Sequence, residues 1–155
     1  MTSIAGIKME RSLFYLSCRR SIWGISNEIL AFFDGDYNCI YSSFHRLMDK
    51  LYDEYKDEQQ GFWCNRDILL TCVRDMTIVF DAATKDIVGF YVIRELDDDG
   101  PDIIDFFQSF QPGQGIGRKM VEHECMRRSL CVLEPMPESI VFWEALGVPL
   151  KRDDN

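Results

Sequence analysis

The chain has 155 residues, of which 46% are hydrophobic and 13% aromatic, and it carries a formal net charge of −9. This length predicts a single domain, residues 1–155, with its own hydrophobic core, and the composition excludes a disordered chain. The acidic balance excludes nucleic acid as a partner, because neutralising phosphates needs a basic stripe. The negative charge favours cationic partners such as amines. The alternative is that it only keeps the protein soluble.

No apolar run approaches the roughly 20 residues that span a bilayer. The N-terminal stretch MTSIAGIKMERS becomes charged too early for a secretory signal. We therefore expect a cytoplasmic protein that binds no membrane. The six cysteines include no C-x-x-C pair and there are two histidines, so we expect no metal site, no disulfides and mostly buried, reduced thiols.

The N-terminal part of the chain predicts one strand and two helices. Residues 12–18, SLFYLSC, have the composition of a strand. Ser26 and Asn27 can cap a short helix that runs through Phe33. Between residues 41 and 58, apolar side chains recur at spacings of three and four, which predicts an amphipathic helix.

The rest of the chain alternates strands and helices. Residues 76–82 and 86–96 are β-branched and aromatic-rich and are joined by a short polar connection, which predicts an antiparallel hairpin. A strand over 102–110, a helix over 117–128, a strand over 130–134 and a helix over 137–147 follow. A crossover helix between two strands is typical of a parallel pair. The sequence therefore predicts an α/β fold with a mixed sheet.

Three glycines at alternate positions, Gly113, Gly115 and Gly117, lie between a predicted strand and a predicted helix. Backbone N–H groups at the start of a helix form an anion site, and glycines let a phosphate approach closely. A P-loop does not fit, because Arg118 stands where its second glycine is required. The dinucleotide fingerprint G-x-G-x-x-G does not fit either, since these glycines run as G-x-G-x-G.

The segment from Pro112 to Met120, PGQGIGRKM, resembles the pyrophosphate loop of the GNAT acetyltransferases, whose pattern is (Q/R)-x-x-G-x-(G/A) at a strand–helix junction. The order of elements around it is similar to that family: hairpin, strand, loop, helix, strand, helix. Residues 139–148, SIVFWEALGV, resemble the family's distal helix, A-x-x-F-Y-E-x-L-G-F. The resemblance covers residues 70–148 and leaves 1–70 as a variable N-terminal part.

This resemblance implies a GNAT-like fold: a mixed, mostly antiparallel central sheet with flanking helices and a splayed parallel strand pair that binds acetyl-coenzyme A (acetyl-CoA). It places Phe107, Gln108 and Ser109 along the pantetheine arm. The pyrophosphate-binding segment would be Gly113, Gln114, Gly115, Ile116, Gly117 and Arg118 through their backbone N–H groups, with the side chains of Arg118 and Lys119 able to add positive charge. Trp143 is expected to pack against the cofactor or the core.

Two positions depart from the family pattern. Pro112 stands where the family has Gln or Arg, and proline has no N–H to donate. Trp143 stands where many members have a tyrosine that protonates the leaving thiolate. The first departure removes one donor from the phosphate site. The second means that the leaving thiolate takes its proton from another side chain or from water, or is not protonated by an acid at all.

Transfer to an amine needs a group that takes the ammonium proton, and three carboxylates are candidates: Asp105, Glu95 and Glu134. Asp105 interrupts the apolar stretch IIDFF, so it either faces a polar cleft or pairs with a nearby arginine. The same stretch resembles the L-D-F-Y strand of the α-tubulin acetyltransferases, whose aspartate is catalytically important. Glu134 ends a strand and Glu95 lies near the end of the hairpin, so each is either a base or a surface charge.

The sequence thus leads to an acetyl-CoA-dependent N-acetyltransferase that acts on a cationic primary amine, in a small molecule or at a protein lysine or N-terminus. The alternative is a catalytically inactive module of the same fold that binds acetyl-CoA or serves as an interaction domain, which Pro112 and Trp143 favour. Because dimers are common in the family, the resemblance also leaves a homodimer open.

Overall fold

A computed structural model describes residues 12–18, 27–55, 75–95, 100–133, 135 and 137–151. Within them, the elements in chain order are β1 (Leu13–Cys18), α1 (Asn27–Phe32), α2 (Tyr37–Tyr55), β2 (Asp75–Asp81), β3 (Ile87–Arg94), β4 (Asp102–Ser109), α3 (Ile116–Cys125), β5 (Leu130–Leu133), α4 (Ile140–Ala145) and β6 (Leu150–Lys151). A single 3-10 turn, Pro137–Ser139, leads into α4.

The strands form one open sheet of six strands in the order β1-β2-β3-β4-β5-β6. The pairs from β1 to β4 are antiparallel, whereas β4–β5 and β5–β6 are parallel. The predicted hairpin is confirmed as β2–β3, and the predicted parallel pair as β4–β5 with α3 as its crossover helix. The molecule is therefore an α/β protein with a mixed sheet.

The turn between β2 and β3 is fixed by Asp81, whose Oδ1 accepts hydrogen bonds from the backbone N–H groups of Ala83 (2.8 Å) and Thr84 (3.0 Å). This Asx-type arrangement reverses the chain within a few residues. Because β3 and β4 are antiparallel, the turn lies at the same end of the sheet as the end of β4 and the glycine loop that follows.

Helices cover both faces of the sheet. Alternate strand residues point to opposite faces, so Ile78 and Phe80 of β2 pack with α1 and α2, while Val79 packs with α3 and α4. The face under α1 and α2 is rich in phenylalanine, including Phe44, Phe90 and Phe106. The fold therefore has three layers, helices, sheet and helices. Connecting loops form the end of the sheet that lies beyond the last residue of β4.

The sequence misplaced several boundaries. α2 begins at Tyr37 instead of residue 41, because Asp36 precedes it and its Oδ1 accepts the N–H of Cys39 at 3.1 Å. α3 ends at Cys125 instead of residue 128, so Arg127 and Arg128 follow the helix and do not form its last turn. β6 was not predicted at all. Among the described helices, none combines the length and the apolar character needed to cross a bilayer.

Candidate functional site

Gly113 and Gly115 lie between β4 and α3, where the resemblance places the loop, and Gly117 lies in the first turn of α3; the three glycines serve two different purposes. Gly113 and Gly115 have φ angles of +82° and +75°, a left-handed conformation that glycine adopts without strain. A Cβ at either position would meet nothing within 4 Å. At Gly117 the reason is packing, since a Cβ there would lie 3.3 Å from Cζ of Phe142.

The start of α3 has the character of an anion site. Gly115 is its N-cap and supplies no capping side chain, and the first intrahelical hydrogen bond runs from the Lys119 N–H to the Gly115 carbonyl at 3.2 Å. The N–H groups of Ile116, Gly117 and Arg118 precede that bond, at the end of the helix that carries partial positive charge. Open space at Gly113 and Gly115 leaves this end accessible from the loop side.

The two parallel strands pair over a short length only. The register joins Asp102, Ile103 and Ile104 of β4 to Leu130, Cys131 and Val132 of β5. β4 then continues from Asp105 to Ser109, into the glycine loop. The strands therefore pair at one end, and β4 extends well past the last registered pair at the other.

A β-bulge marks the point where this pairing ends. Across the β3–β4 ladder, Ile104 pairs with Ile93 and Phe106 with Val92, which leaves Asp105 as the extra residue. Bulges bend a strand and redirect a side chain, and they are common next to active sites. The bulge thus coincides with the last β4–β5 pair.

Asp105 contacts an arginine. Its Oδ1 lies 3.2 Å from Nη2 of Arg94, and its side chain is 14% exposed. Of the two alternatives left open by the sequence, the pairing with a nearby arginine is present. A carboxylate held by a guanidinium at a bulge can still accept a proton from a substrate, so the pairing does not decide its chemistry.

Of the other two candidate bases, Glu95 is less well placed than Asp105. Glu95 lies just after β3, with Oε1 3.7 Å from Nη1 of Arg128. It is at the opposite end of β4 from the glycine loop, because β3 and β4 are antiparallel. Glu134 lies outside the described residues.

The side chains along the end of β4 point in different directions. Phe107 packs in the core under α3 and α4, 5.0 Å from the ring of Trp143 and 5.9 Å from that of Phe142. Gln108 donates from Nε2 to the Ser109 carbonyl at 2.8 Å, and the Gln111 N–H donates to Ser109 Oγ at 3.4 Å. Only the backbone and the two polar side chains are therefore suited to line a cleft.

Trp143 is a core residue. It is 5% exposed and its ring lies 4.9 Å from that of Phe142 in an edge-on arrangement. Of the two expected partners of this side chain, the cofactor and the core, the structure shows its contact with the core. With its indole buried among aromatic rings, Trp143 cannot take the place of the tyrosine found at this position in the GNAT pattern.

The two basic residues after the loop, Arg118 and Lys119, differ in their surroundings. Arg118 is exposed and lies 3.7 Å from Glu122 one turn along α3. Exposed pairs of this kind contribute little and rearrange readily, so the guanidinium is free to turn toward an anion. The Lys119 carbonyl accepts the hydroxyl of Tyr15 at 3.3 Å, which joins α3 to β1. Gln114 is exposed at the tip of the loop.

The sequence reasoning missed a buried charge cluster around Glu124, which is 2% exposed on α3. Oε1 accepts the Tyr91 hydroxyl at 2.8 Å and the Arg127 Nη1 at 3.2 Å, and Oε2 lies 3.3 Å from Nε of Arg128. The sequence did contain a signal for this cluster. Ile116, Met120 and Glu124 lie on one helix face at a spacing of four, so the glutamate occupies a position where the apolar face of the helix predicts a hydrophobic residue.

The thiols near α3 are poor nucleophiles. Desolvation and the Glu124 carboxylate raise the pKa of Cys125, and burial raises the pKa of Cys131. A reactive cysteine needs a lowered pKa. His123 stacks on Tyr15 with ring centroids 3.7 Å apart, and burial lowers its pKa. The raised pKa values of the thiols and the stacking of His123 on Tyr15 do not favour either cysteine as a nucleophile.

Comparison with known proteins adds no identification: no protein-family model matches the chain, and no curated protein matches it. What remains is the geometry itself, with a strand that outruns its parallel partner at a bulge and leads into a glycine loop at an uncapped helix start.

Proposed function

We propose that the protein is an acetyl-CoA-dependent N-acetyltransferase that acts on a primary amine. The observation that carries the proposal is the end of the β4–β5 register at Ile104, where the bulge lies, with β4 continuing for five more residues into the glycine loop. An extended ligand arm can lie along such a strand, and its phosphates can lie at the helix start beyond it.

The residues present fit this ligand. The backbone N–H groups from Gly113 to Arg118 would hold the pyrophosphate, and Arg118 would add positive charge. Backbone groups between Asp105 and Ser109 would hold the pantetheine arm. At about 3.3 Å per residue this segment is roughly 17 Å long, and it ends at the bulge. Pro112 removes one N–H at the edge of the loop and leaves those that follow.

The bound cosubstrate would supply an acetyl thioester, and the chain's own groups would manage protons and position. Asp105 would take a proton from the acceptor ammonium, directly or through water. Arg94 would hold that carboxylate at the bulge. With Trp143 buried, no side chain of α4 would supply a proton to the leaving thiolate, which leaves water as the proton source.

A non-catalytic module with the same ligand is the second candidate. Two observations favour it: Trp143 replaces the expected acid, and Asp105 is already paired with Arg94. Calorimetric titration of acetyl-CoA, followed by measurement of coenzyme A release with a panel of primary amines, separates the two. Binding with turnover on at least one amine supports the enzyme, and binding without turnover on any supports the module.

Asp105→Asn is the variant that tests the proposed base. Losing a general base typically costs 10²–10⁴-fold in rate, so we expect turnover to fall at least about a hundredfold while acetyl-CoA affinity is unchanged. Asp102→Asn is a matched control, because Asp102 is a β4 carboxylate that also pairs with an arginine, Arg128 at 3.4 Å. Full activity in Asp105→Asn would exclude this carboxylate as the base.

A further inference from the structure

Asp105 and Arg94 lie on the face of the sheet that packs with α1 and α2, opposite the face covered by α3 and α4. Ile93 and Ile104, the residues before them, point into the cluster under α3, and alternate strand residues point to opposite faces. The distance of 3.2 Å between Arg94 Nη2 and Asp105 Oδ1 places the bulge residue on the same side as the arginine. If the proposed function holds, the acceptor approaches Asp105 from this face.

A second cation lies on the same face, beyond the β4–β5 gap. Lys151 of β6 is exposed and is registered with Leu133, the residue after the last part of β5 that pairs with β4. Val132 and Leu150, the preceding registered pair, pack in the cluster under α3, so Lys151 points to the face of Asp105. Two strand spacings are roughly 10 Å, which a long lysine side chain and a small ligand can span together.

The thiol of Cys131 shows that both cations act on this part of the sheet. Cys131 is buried on β5 and registered with Ile103 of β4. Burial raises the pKa of this thiol most, and the positive charges of Lys151 and Arg94 lower it. The neighbourhood of Asp105 therefore has two cations, although the chain as a whole has a net charge of −9.

Asp105 uses only part of the Arg94 guanidinium. This group has five N–H donors, and its ion pair within the described part of the chain is the one from Nη2 to Asp105. Its Nε is buried and has no hydrogen-bond partner among the described residues. The side chain is 39% exposed, so donors remain for a second carboxylate, which a planar guanidinium binds well.

We propose that the acceptor is an amine that carries a carboxylate next to its amino group, as an α-amino acid does, with Arg94 and Lys151 binding the carboxylate and Asp105 receiving the ammonium. The proposal rests on the proposed function and specifies the acceptor class of the same site. A purely cationic amine, which the net charge of the chain favours, would bring its charge beside two cations with one carboxylate to offset them.

The transfer leaves the carboxylate of the acceptor unchanged. Asp105 takes one proton from the ammonium, and the nitrogen then bonds to the acetyl carbon of the donor. The carbon–sulfur bond breaks, and its electron pair leaves with the sulfur. A second proton of the nitrogen passes through water to the thiolate, so the products are the N-acetyl amino acid and coenzyme A.

The test measures coenzyme A release by the full-length protein from acetyl-CoA with each α-amino acid and with its amide, in which the carboxylate is replaced by a neutral group. We expect kcat/KM for the best amino acid to exceed that for its amide at least about tenfold, because contacts between charged partners are the stronger hydrogen bonds. The amide has the less basic amine, so ionisation of the amine does not produce this preference. Amides or simple diamines acetylated as well as amino acids would overturn the proposal and leave the proposed function standing. No binding of acetyl-CoA, or binding without turnover on any amine, would end the proposed function and this inference with it.

Arg94→Gln should lower the ratio of the two kcat/KM values at least about threefold, and Arg94→Lys, which keeps the positive charge, should lower it less. The ratio is informative because a loss of support for Asp105 slows both acceptors alike. Lys85→Gln is the matched control, since Lys85 is a cation of the β2–β3 turn that pairs with Asp34 at 3.2 Å, and its ratio should equal that of the wild type. If Arg94→Gln does not fold, Lys151→Gln, at an exposed position, should still lower the ratio. An unchanged ratio in the folded variants would contradict the proposal.

Discussion

Glu124 is the least exposed charged side chain among the described residues, at 2%, and three donors converge on it from β3 and from the chain just after α3. A buried carboxylate is tolerated only when its charge is compensated. The Tyr91 hydroxyl, Arg127 and Arg128 provide that compensation. Arg128 also reaches Asp102 at 3.4 Å, so the cluster ties the end of α3 to the start of β4.

Neutralising this carboxylate should therefore destabilise the protein. Glu124→Gln keeps the shape of the side chain but leaves the two arginines without their shared anion, and we expect a loss of about 3 kcal/mol in the free energy of unfolding. Glu122→Gln, an exposed position on the same helix, should change it by less than about 0.5 kcal/mol. Urea unfolding measures the free energy of unfolding of both variants. Equal, small losses in the two would contradict the claim that Glu124 is a buried charge compensated by its neighbours.

At the scale of elements, Tyr15 joins the edge strand β1 to α3. Its hydroxyl donates to the Lys119 carbonyl at 3.3 Å and its ring stacks on His123. Burial, and then the carboxylates of Glu124 and Glu122, raise the pKa of Tyr15 to about 12. A tyrosine in the unfolded chain loses its proton near about pH 10.

This difference predicts a stability that falls at alkaline pH. Between about pH 10 and pH 12 the unfolded chain binds fewer protons than the folded protein, so the free energy of unfolding decreases as the pH rises. Tyr15→Phe should lower stability at pH 9 by about 1 kcal/mol through the lost hydrogen bond, and should then lose less between pH 9 and 11 than the wild type. Urea unfolding at both pH values measures this. Tyr37→Phe, at a half-exposed position, should retain the wild-type slope; an identical slope in Tyr15→Phe would exclude its role.

Local patterns were sufficient to predict most of the elements, including β1, the β2–β3 hairpin and the loop between β4 and α3. The bulge at Asp105 could not be predicted, because it exists only in the register between β3 and β4, which depends on residues far apart in the chain. β6 was missed for the same reason, since Leu150 and Lys151 become a strand only by pairing with β5. The alternation rule also fails at a bulge, which is why Asp105 could not be assigned to one face.

The candidate site could likewise be predicted from the sequence only in part. The glycines of the loop were found from their spacing, but their separate purposes were not: the φ angles of Gly113 and Gly115 and the contact of Gly117 with Phe142 depend on the folded chain. Trp143 was expected to pack against the cofactor or the core, and only the folded chain shows that it lies in the core. The pairing of Asp105 with Arg94 was one of two alternatives, and only tertiary contact could choose between them.

At the scale of the whole molecule, a protein of net charge −9 is proposed to bind a polyanionic ligand. That requires a local field strong enough to outweigh the general repulsion. The start of α3 is the place where we expect such a field, because N–H groups without a side-chain cap, the helix dipole and Arg118 coincide there. The central claim is therefore a claim about this one helix end.

Its most direct test is calorimetric titration of acetyl-CoA into the wild-type protein and into Gly115→Asp and Gly115→Asn. Both side chains tolerate a left-handed backbone better than most, and a Cβ at Gly115 meets open space, so the two variants differ chiefly in one negative charge. We predict binding by the wild type, retained within about tenfold in Gly115→Asn and weakened by at least a further tenfold in Gly115→Asp, since a charged contact to such donors is worth about 1.5–3 kcal/mol. Equal affinities in the two variants, or no binding by the wild type, would contradict the assignment of the loop as a phosphate site.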